Sequence, residues 1–210
     1  MEIQDRAFEV LRRLKKKYPA PKTSLHFRTP FELLVATVLS AQTTDVHVNR
    51  VTQGVFKKYK SVKDYADAAL ETLRNDMRSI NFFKTKAKNI HEAAKIIVER
   101  FSGKVPKTMD GLISLPGVAR KTANIVLSSA YGINEGIAVD THVKRVAYRL
   151  GLTKNEDPVK IEQDLMSLLP KEDWGNFSHL LILHGRETCQ AKKPVHGECV
   201  LFDICPSKNI

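Results

Sequence analysis

Long apolar runs are missing from this 210-residue sequence; none approaches the roughly 18 to 20 residues that a membrane-spanning helix needs. The opening residues, MEIQDRAFEVLRRLKKK, carry early acids and no apolar segment of the secretory kind. The expectation is a cytoplasmic protein without a membrane partner, nucleoid-associated if its source is prokaryotic. Sustained apolar–polar alternation is also missing, which leaves almost no strand. No internal repeat or low-complexity linker interrupts the chain. Cysteine is scarce, with only Cys189, Cys199 and Cys205. Three cannot all pair within one chain, and their crowding at one end points to metal chemistry in a reducing compartment, not to a disulfide scaffold. Acidic charge is the scarcer sign: 23 Asp and Glu face 34 Lys and Arg, a net charge of +11. Such an excess suits a polyanion, because each neutralised phosphate releases condensed counterions. A merely basic, solvated surface would have the same composition.

What is present is helical periodicity. Ile3, Ala7, Val10, Leu11 and Leu14 form one stripe, with the Arg12–Lys17 cations mostly off it, as on a solvated helix face. Tyr18-Pro19-Ala20-Pro21 ends that helix, since proline cannot continue it. A second helix follows Pro30, with Phe31, Leu33, Leu34, Val38 and Leu39 as its core face. Ser40–Asp45 then breaks the pattern and supplies a cap. Further helices are expected over about 45–58, 61–66, 68–76, 83–101, 108–113, 120–131, 140–149, 158–168 and 173–185. Beyond Cys189 apolar residues are few, and that segment is not expected to pack a core alone.

In Ser114-Leu115-Pro116-Gly117-Val118-Ala119-Arg120-Lys121-Thr122 a short helix stops, turns and restarts. Pro-Gly sets the turn, and the restarted helix offers unpaired backbone N–H groups, an anion site. Arg120 and Lys121 stand where the helix dipole favours acids, an arrangement that makes sense with a phosphate in place. The dipole and Arg120 also disfavour a charged Lys121 amine, and a neutral amine is a nucleophile toward an aldehyde-like sugar carbon. A solvated lysine in a DNA-binding turn is the plainer alternative. Downstream, Asp140 in Ala138-Val139-Asp140-Thr141-His142 either caps the next helix or places a carboxylate against positive charge developing on a sugar. His142 is read as a structural neighbour.

These segments also carry a resemblance. LPGVARKTANIVL (Leu115–Leu127) and the later AVDTHVKRV, together with FELLVATVLSAQTTDVHVNR (Phe31–Arg50) and ILHGRETC (Ile182–Cys189), resemble the endonuclease III family of helix-hairpin-helix DNA glycosylases and AP lyases. The resemblance runs over almost the whole chain and implies an all-α, two-domain architecture. A six-helix barrel with the hairpin spans 22–132. Residues 1–21 and 133–210 form a second helical domain with a C-terminal metal-cluster loop (189–205). It further implies a base-excision-repair enzyme acting on double-stranded DNA with damaged bases, oxidised pyrimidines above all, or abasic sites. The target nucleotide would leave the base stack, since base chemistry is blocked inside a duplex.

Residue by residue, the resemblance puts Lys121 at the family's Schiff-base lysine and Asp140 at its catalytic aspartate. Gln42 matches the residue that fills the gap left by the flipped nucleotide. Phe82 matches an apolar wedge, preceded here by Asn81 where the family usually has glycine. Leu115, Gly117, Ala119, Arg120 and Thr122 belong to the DNA-docking hairpin. A mismatch-directed thymine or uracil glycosylase would share most of these motifs, and a non-catalytic DNA-binding module would share the hairpin and the charge. The tail reads Cys189-x6-His196-x2-Cys199-x5-Cys205. Family members with a [4Fe–4S] cluster have cysteine at all four points; here His196 takes the second. A cluster with one histidine ligand, a Cys3His zinc site and no metal at all stand as alternatives. Lys192 and Lys193, between the first two ligands, are candidate phosphate contacts or simply solvated. With no oligomeric signal in the sequence, a monomer is expected.

Overall fold

Side-chain caps start most of the helices. The computed structural model describes residues 1–208 and among them shows eleven α-helices and no strand. These are α1 (Ile3–Lys17), α2 (Pro30–Ser40), α3 (Asp45–Lys58), α4 (Val62–Asp67), α5 (Leu70–Asp76), α6 (Phe83–Phe101), α7 (Met109–Ile113), α8 (Arg120–Tyr131), α9 (Thr141–Arg149), α10 (Pro158–Leu168) and α11 (Trp174–Glu187). Thr29, Thr44, Ser61, Thr108, Asp140 and Asp157 each accept a first-turn backbone N–H at the start of their helix. Each such cap contributes about 1 kcal/mol. Three short 3-10 turns, Lys171–Asp173, His196–Glu198 and Phe202–Ile204, complete the elements.

The chain divides into two units, Thr23–Ile133 and Met1–Lys22 with Asn134–Ile210. Residues 209 and 210, the end of the second domain expected from sequence, lie outside the described residues.

In the Thr23–Ile133 unit, α2 is the central helix. Every residue from Phe31 to Leu39 is buried, and α3, α6 and α8 pack against it, as suits a helix that is apolar nearly all round. Its one buried acid, Glu32, accepts from the Arg28 guanidinium and backbone N–H, so the charge is paired.

The other unit has its own core, from the Ala7–Leu14 face of α1, Val143 and Val146 of α9, Ile161 and Leu165 of α10, and Phe177, Leu180 and Leu181 of α11. Arg12 and Lys16 are exposed, as expected, but three cations of α1 reach other segments. Arg13 pairs with Asp203 at 2.5 Å and donates to Val200 O at 2.9 Å. Lys15 meets Asp173 at 2.5 Å, and Lys17 donates to Thr188 Oγ1 at 2.9 Å. Leu201, in the segment not expected to pack, is fully buried in this core. The partners of these residues lie far away in sequence, so helical periodicity alone does not expose them.

Candidate active site and nucleic-acid interface

The hairpin is built by α7, a turn and α8. Leu115 N–H bonds Leu112 O, and Val118 N–H bonds Leu115 O, both at 3.1 Å. Gly117 sits at φ +76°, and a Cβ there would stand 2.7 Å from Asn89 Nδ2 and 3.0 Å from Asn89 Cβ of α6. Glycine is required twice, by the left-handed backbone and by the close approach. Leu115 and Val118 are buried beneath the turn, so the turn is held from inside while its backbone stays outside.

Helix α8 begins without a cap. Its N-cap residue is Ala119, no side chain accepts from its first turn, and that turn carries no acid. Gly117, Ala119, Arg120 and Lys121 are exposed and Thr122 is half-buried. Six other helices have a Thr, Ser or Asp side chain that accepts a first-turn N–H; α8, like α6, starts without one and with two cations close to its start. The first-turn N–H groups of α8 and its positive dipole end suit an anion.

Asp140 lies in the other unit. Its Oδ1 accepts the His142 and Val143 N–H groups, each at 2.8 Å, so the capping role is present. The approach to it is pinned by Ser178 Oγ, which donates to Ala138 O at 2.7 Å. Gly185 lets α9 and α11 come together, since a Cβ there would lie 3.1 to 3.2 Å from Val146, Arg145 and His142. Burial pushes the His142 and His179 imidazoles below their ordinary range, with the Asp140 charge partly opposing it. Asp140 thus has two imidazoles nearby whose charged forms burial disfavours.

Gln42 and Phe82 occupy two neighbouring loops of the Thr23–Ile133 unit. Both are exposed and both adopt left-handed backbone, φ +56° and +58°. For residues other than glycine this costs on the order of 1–2 kcal/mol each. Asn81 Nδ2 donates to Gln42 O at 2.6 Å, and His47 Nε2 donates to Ser79 O at 2.9 Å. Buried Lys86 of α6 donates from Nζ to Leu39 O at 2.8 Å, Ala41 O at 2.5 Å and Thr43 Oγ1 at 3.4 Å. It thereby satisfies carbonyls at the C-terminal end of α2, and burial lowers its pKa. Sequence reasoning missed this lysine, although it lies on the apolar stripe of Ile90, Ala93 and Ile97, where a cation calls for a partner.

Cys189, His196, Cys199 and Cys205 line one small cavity of about 20 Å³ with Arg149, His184, Pro194 and Phe202. All three cysteines are free and half-buried. Arg149 Nη1 donates to Cys189 Sγ at 3.4 Å, Cys205 Sγ to Arg149 O at 3.5 Å, and His184 Nε2 lies 3.8 Å from Cys199 Sγ. Burial raises the Cys199 and Cys205 thiols and lowers His184 to about 4. Among the described residues no three His, Cys, Asp or Glu side chains converge closely enough to hold one metal ion. A tetrahedral zinc site needs such convergence, with thiolate bonds of about 2.3 Å. Lys192 and Lys193 are exposed, on a loop whose Gln190 and Ala191 carbonyls accept from Arg149.

A family model described as HhH-GPD superfamily base excision DNA repair protein matches residues 35–171. The endonuclease III of Synechocystis sp. is 52% identical over 204 residues, covering 97% of this chain and 93% of the relative. That of Bacillus subtilis is 48% identical over 189 residues, covering 90% and 86%. Among solved structures, a trapped endonuclease III–DNA covalent intermediate matches with TM-score 0.92 at 41% identity, covering 99% of this chain and 98% of that one. A thermostable thymine-DNA glycosylase matches with TM-score 0.87 at 21% identity, covering 97% of each chain, which speaks for the fold alone.

Proposed function

The chain belongs to the endonuclease III family within the HhH-GPD base-excision DNA repair superfamily, and we propose that it is a DNA glycosylase and AP lyase acting on damaged pyrimidines in duplex DNA. The observation that carries the reading is Lys121, an exposed amine on the first turn of an uncapped helix held at the tip of the hairpin. The amide groups and Arg120 bind a backbone phosphate, which brings the amine to the sugar of an extrahelical nucleotide.

In its neutral form Lys121 Nζ attacks C1′. The new N–C bond forms as the glycosidic bond breaks, and that electron pair leaves with the base. Loss of the amine proton and opening of the sugar ring give an imine at C1′. Removal of a C2′ proton then expels the 3′ phosphate, which cuts the strand, and water returns the lysine. Asp140 stabilises the cationic sugar and relays protons. Gln42 and Phe82 fill the opened stack, and Lys192 and Lys193 contact phosphates.

Cys189, Cys199, Cys205 and His196 are assigned to a [4Fe–4S] cluster. The donor set and the shared cavity support this, with imidazole in place of a fourth thiolate. Such a group supplies a rigid cross-link and redox capacity, and base excision does not pass through it. The reading places the protein with genomic DNA in the cytoplasm, acting as a monomer.

The test is borohydride reduction in the presence of an abasic-site duplex, which traps the imine as a stable covalent adduct. Wild type is expected to trap and Lys121→Gln to give none. Equal trapping by both would overturn the role of Lys121; trapping by neither would leave a DNA-binding module without chemistry.

A further inference from the structure

The Gln42 and Phe82 side chains stand on separate loops, one after α2 and one before α6, and insertion into a duplex by both requires the loops to move together. Three polar ties join them. Lys86 reaches back from α6 to the end of α2, His47 reaches from α3 to Ser79, and Asn81 reaches directly to the carbonyl of Gln42. The third differs from the others in position. It joins the backbone of one inserting residue to the immediate neighbour of the other. Asn81 does not itself take left-handed backbone, so glycine is not demanded there by conformation. Its carboxamide is exposed, and the core does not require it.

We propose that Asn81 is a positioning residue that locks the Gln42 loop to the Phe82 loop, so that both side chains enter the damaged duplex as one preformed unit. The inference rests on the glycosylase reading above. Gln42 and Phe82 both hold strained backbone, and strain persists only where the surroundings over-determine it. The Asn81 bond fixes the Gln42 peptide plane and with it the direction of the Gln42 side chain. Preformed geometry lowers the ordering cost of insertion, so its loss slows opening of the base stack, not the chemistry at C1′.

The experiment follows single-turnover excision of thymine glycol from a duplex that carries 2-aminopurine beside the lesion, whose fluorescence rises as the stack opens. Asn81→Asp keeps the shape but puts an acceptor against the Gln42 carbonyl; Asn81→Gly removes the side chain that makes the bond. Both are expected to slow the fluorescence rise and excision together by about five- to tenfold, the scale of one lost hydrogen bond. The melting temperature stays that of wild type. In a Gln42→Ala background the Asn81 substitutions are expected to add no further slowing, because the side chain they orient is gone. Unchanged fluorescence kinetics in both single variants would overturn the proposal. So would slowing of full size that persists without Gln42, which would mark a simple charge or folding effect. A wild-type protein that opens the stack but excises nothing would overturn the glycosylase reading instead.

Discussion

The two units hold their functional elements by different means. Thr23–Ile133 is one uninterrupted stretch around the buried helix α2, and its hairpin and the Gln42 and Phe82 loops rest on buried apolar residues and short polar ties. The other unit joins both ends of the chain. Arg6 reaches the Leu150 carbonyl across 144 positions, and Arg13 reaches Asp203 across 190. Among the described residues beyond Cys189, only Leu201 is a fully buried apolar side chain; guanidinium donors on backbone carbonyls do much of the remaining holding. A segment with a single apolar anchor gains little from burial. It depends on polar ties and, in the reading given above, on the metal group.

The largest effect that would sharpen this contrast is expected from Leu201→Ala. Removing the anchor should destabilise its own unit by about 2–4 kcal/mol. The only tryptophan, Trp174, lies in that unit, with Nε1 donating to Leu169 O at 3.0 Å. Its fluorescence should therefore report an earlier thermal transition, while a second phase followed by far-ultraviolet circular dichroism stays in place. A single transition that shifts as a whole would break the comparison.

Gly117→Val tests the other unit. A branched side chain at φ +76° against Asn89 should cost on the order of 1–3 kcal/mol and weaken duplex binding in a salt titration, with the Trp174 signal unmoved. A variant that binds and melts like wild type would remove the requirement for glycine there.

The smallest effect is acid sensitivity. Burial, partly opposed by Asp140, holds the folded-state pKa values of His142 and His179 below the ordinary imidazole range. Unfolded, both protonate near pH 6.5, to within about a unit. Between that value and their lower folded values the unfolded chain binds more protons, so stability falls as pH drops through this window. The Trp174-reported melting temperature should decline below about pH 6.5, and less so in His179→Gln. A flat profile would count against neutral burial of these imidazoles.

Legibility followed sequence distance. The expected helix at 83–101 appears as Phe83–Phe101 and that at 120–131 as Arg120–Tyr131, because caps and periodic apolar residues act within a few positions. Gly117 was legible for the same reason, since a Pro-Gly turn is a local event. Buried His184 lies on the stripe of Phe177 and Leu181, a visible but unread signal, and it faces Cys199. Nothing near Asn81 in sequence announces Gln42 as its partner, 39 positions away, and the α1 cations read as solvent-facing until the tail was placed against them.

By itself the sequence determined the helices, their caps, the hairpin turn and the chemical types at 121, 140 and the cysteine tail, all set by local backbone preferences and residue chemistry. Only the tertiary structure decided which side chains share a cavity, which lysine is buried and which loops are tied. Those outcomes depend on contacts whose closure entropy is offset only when distant segments pack together.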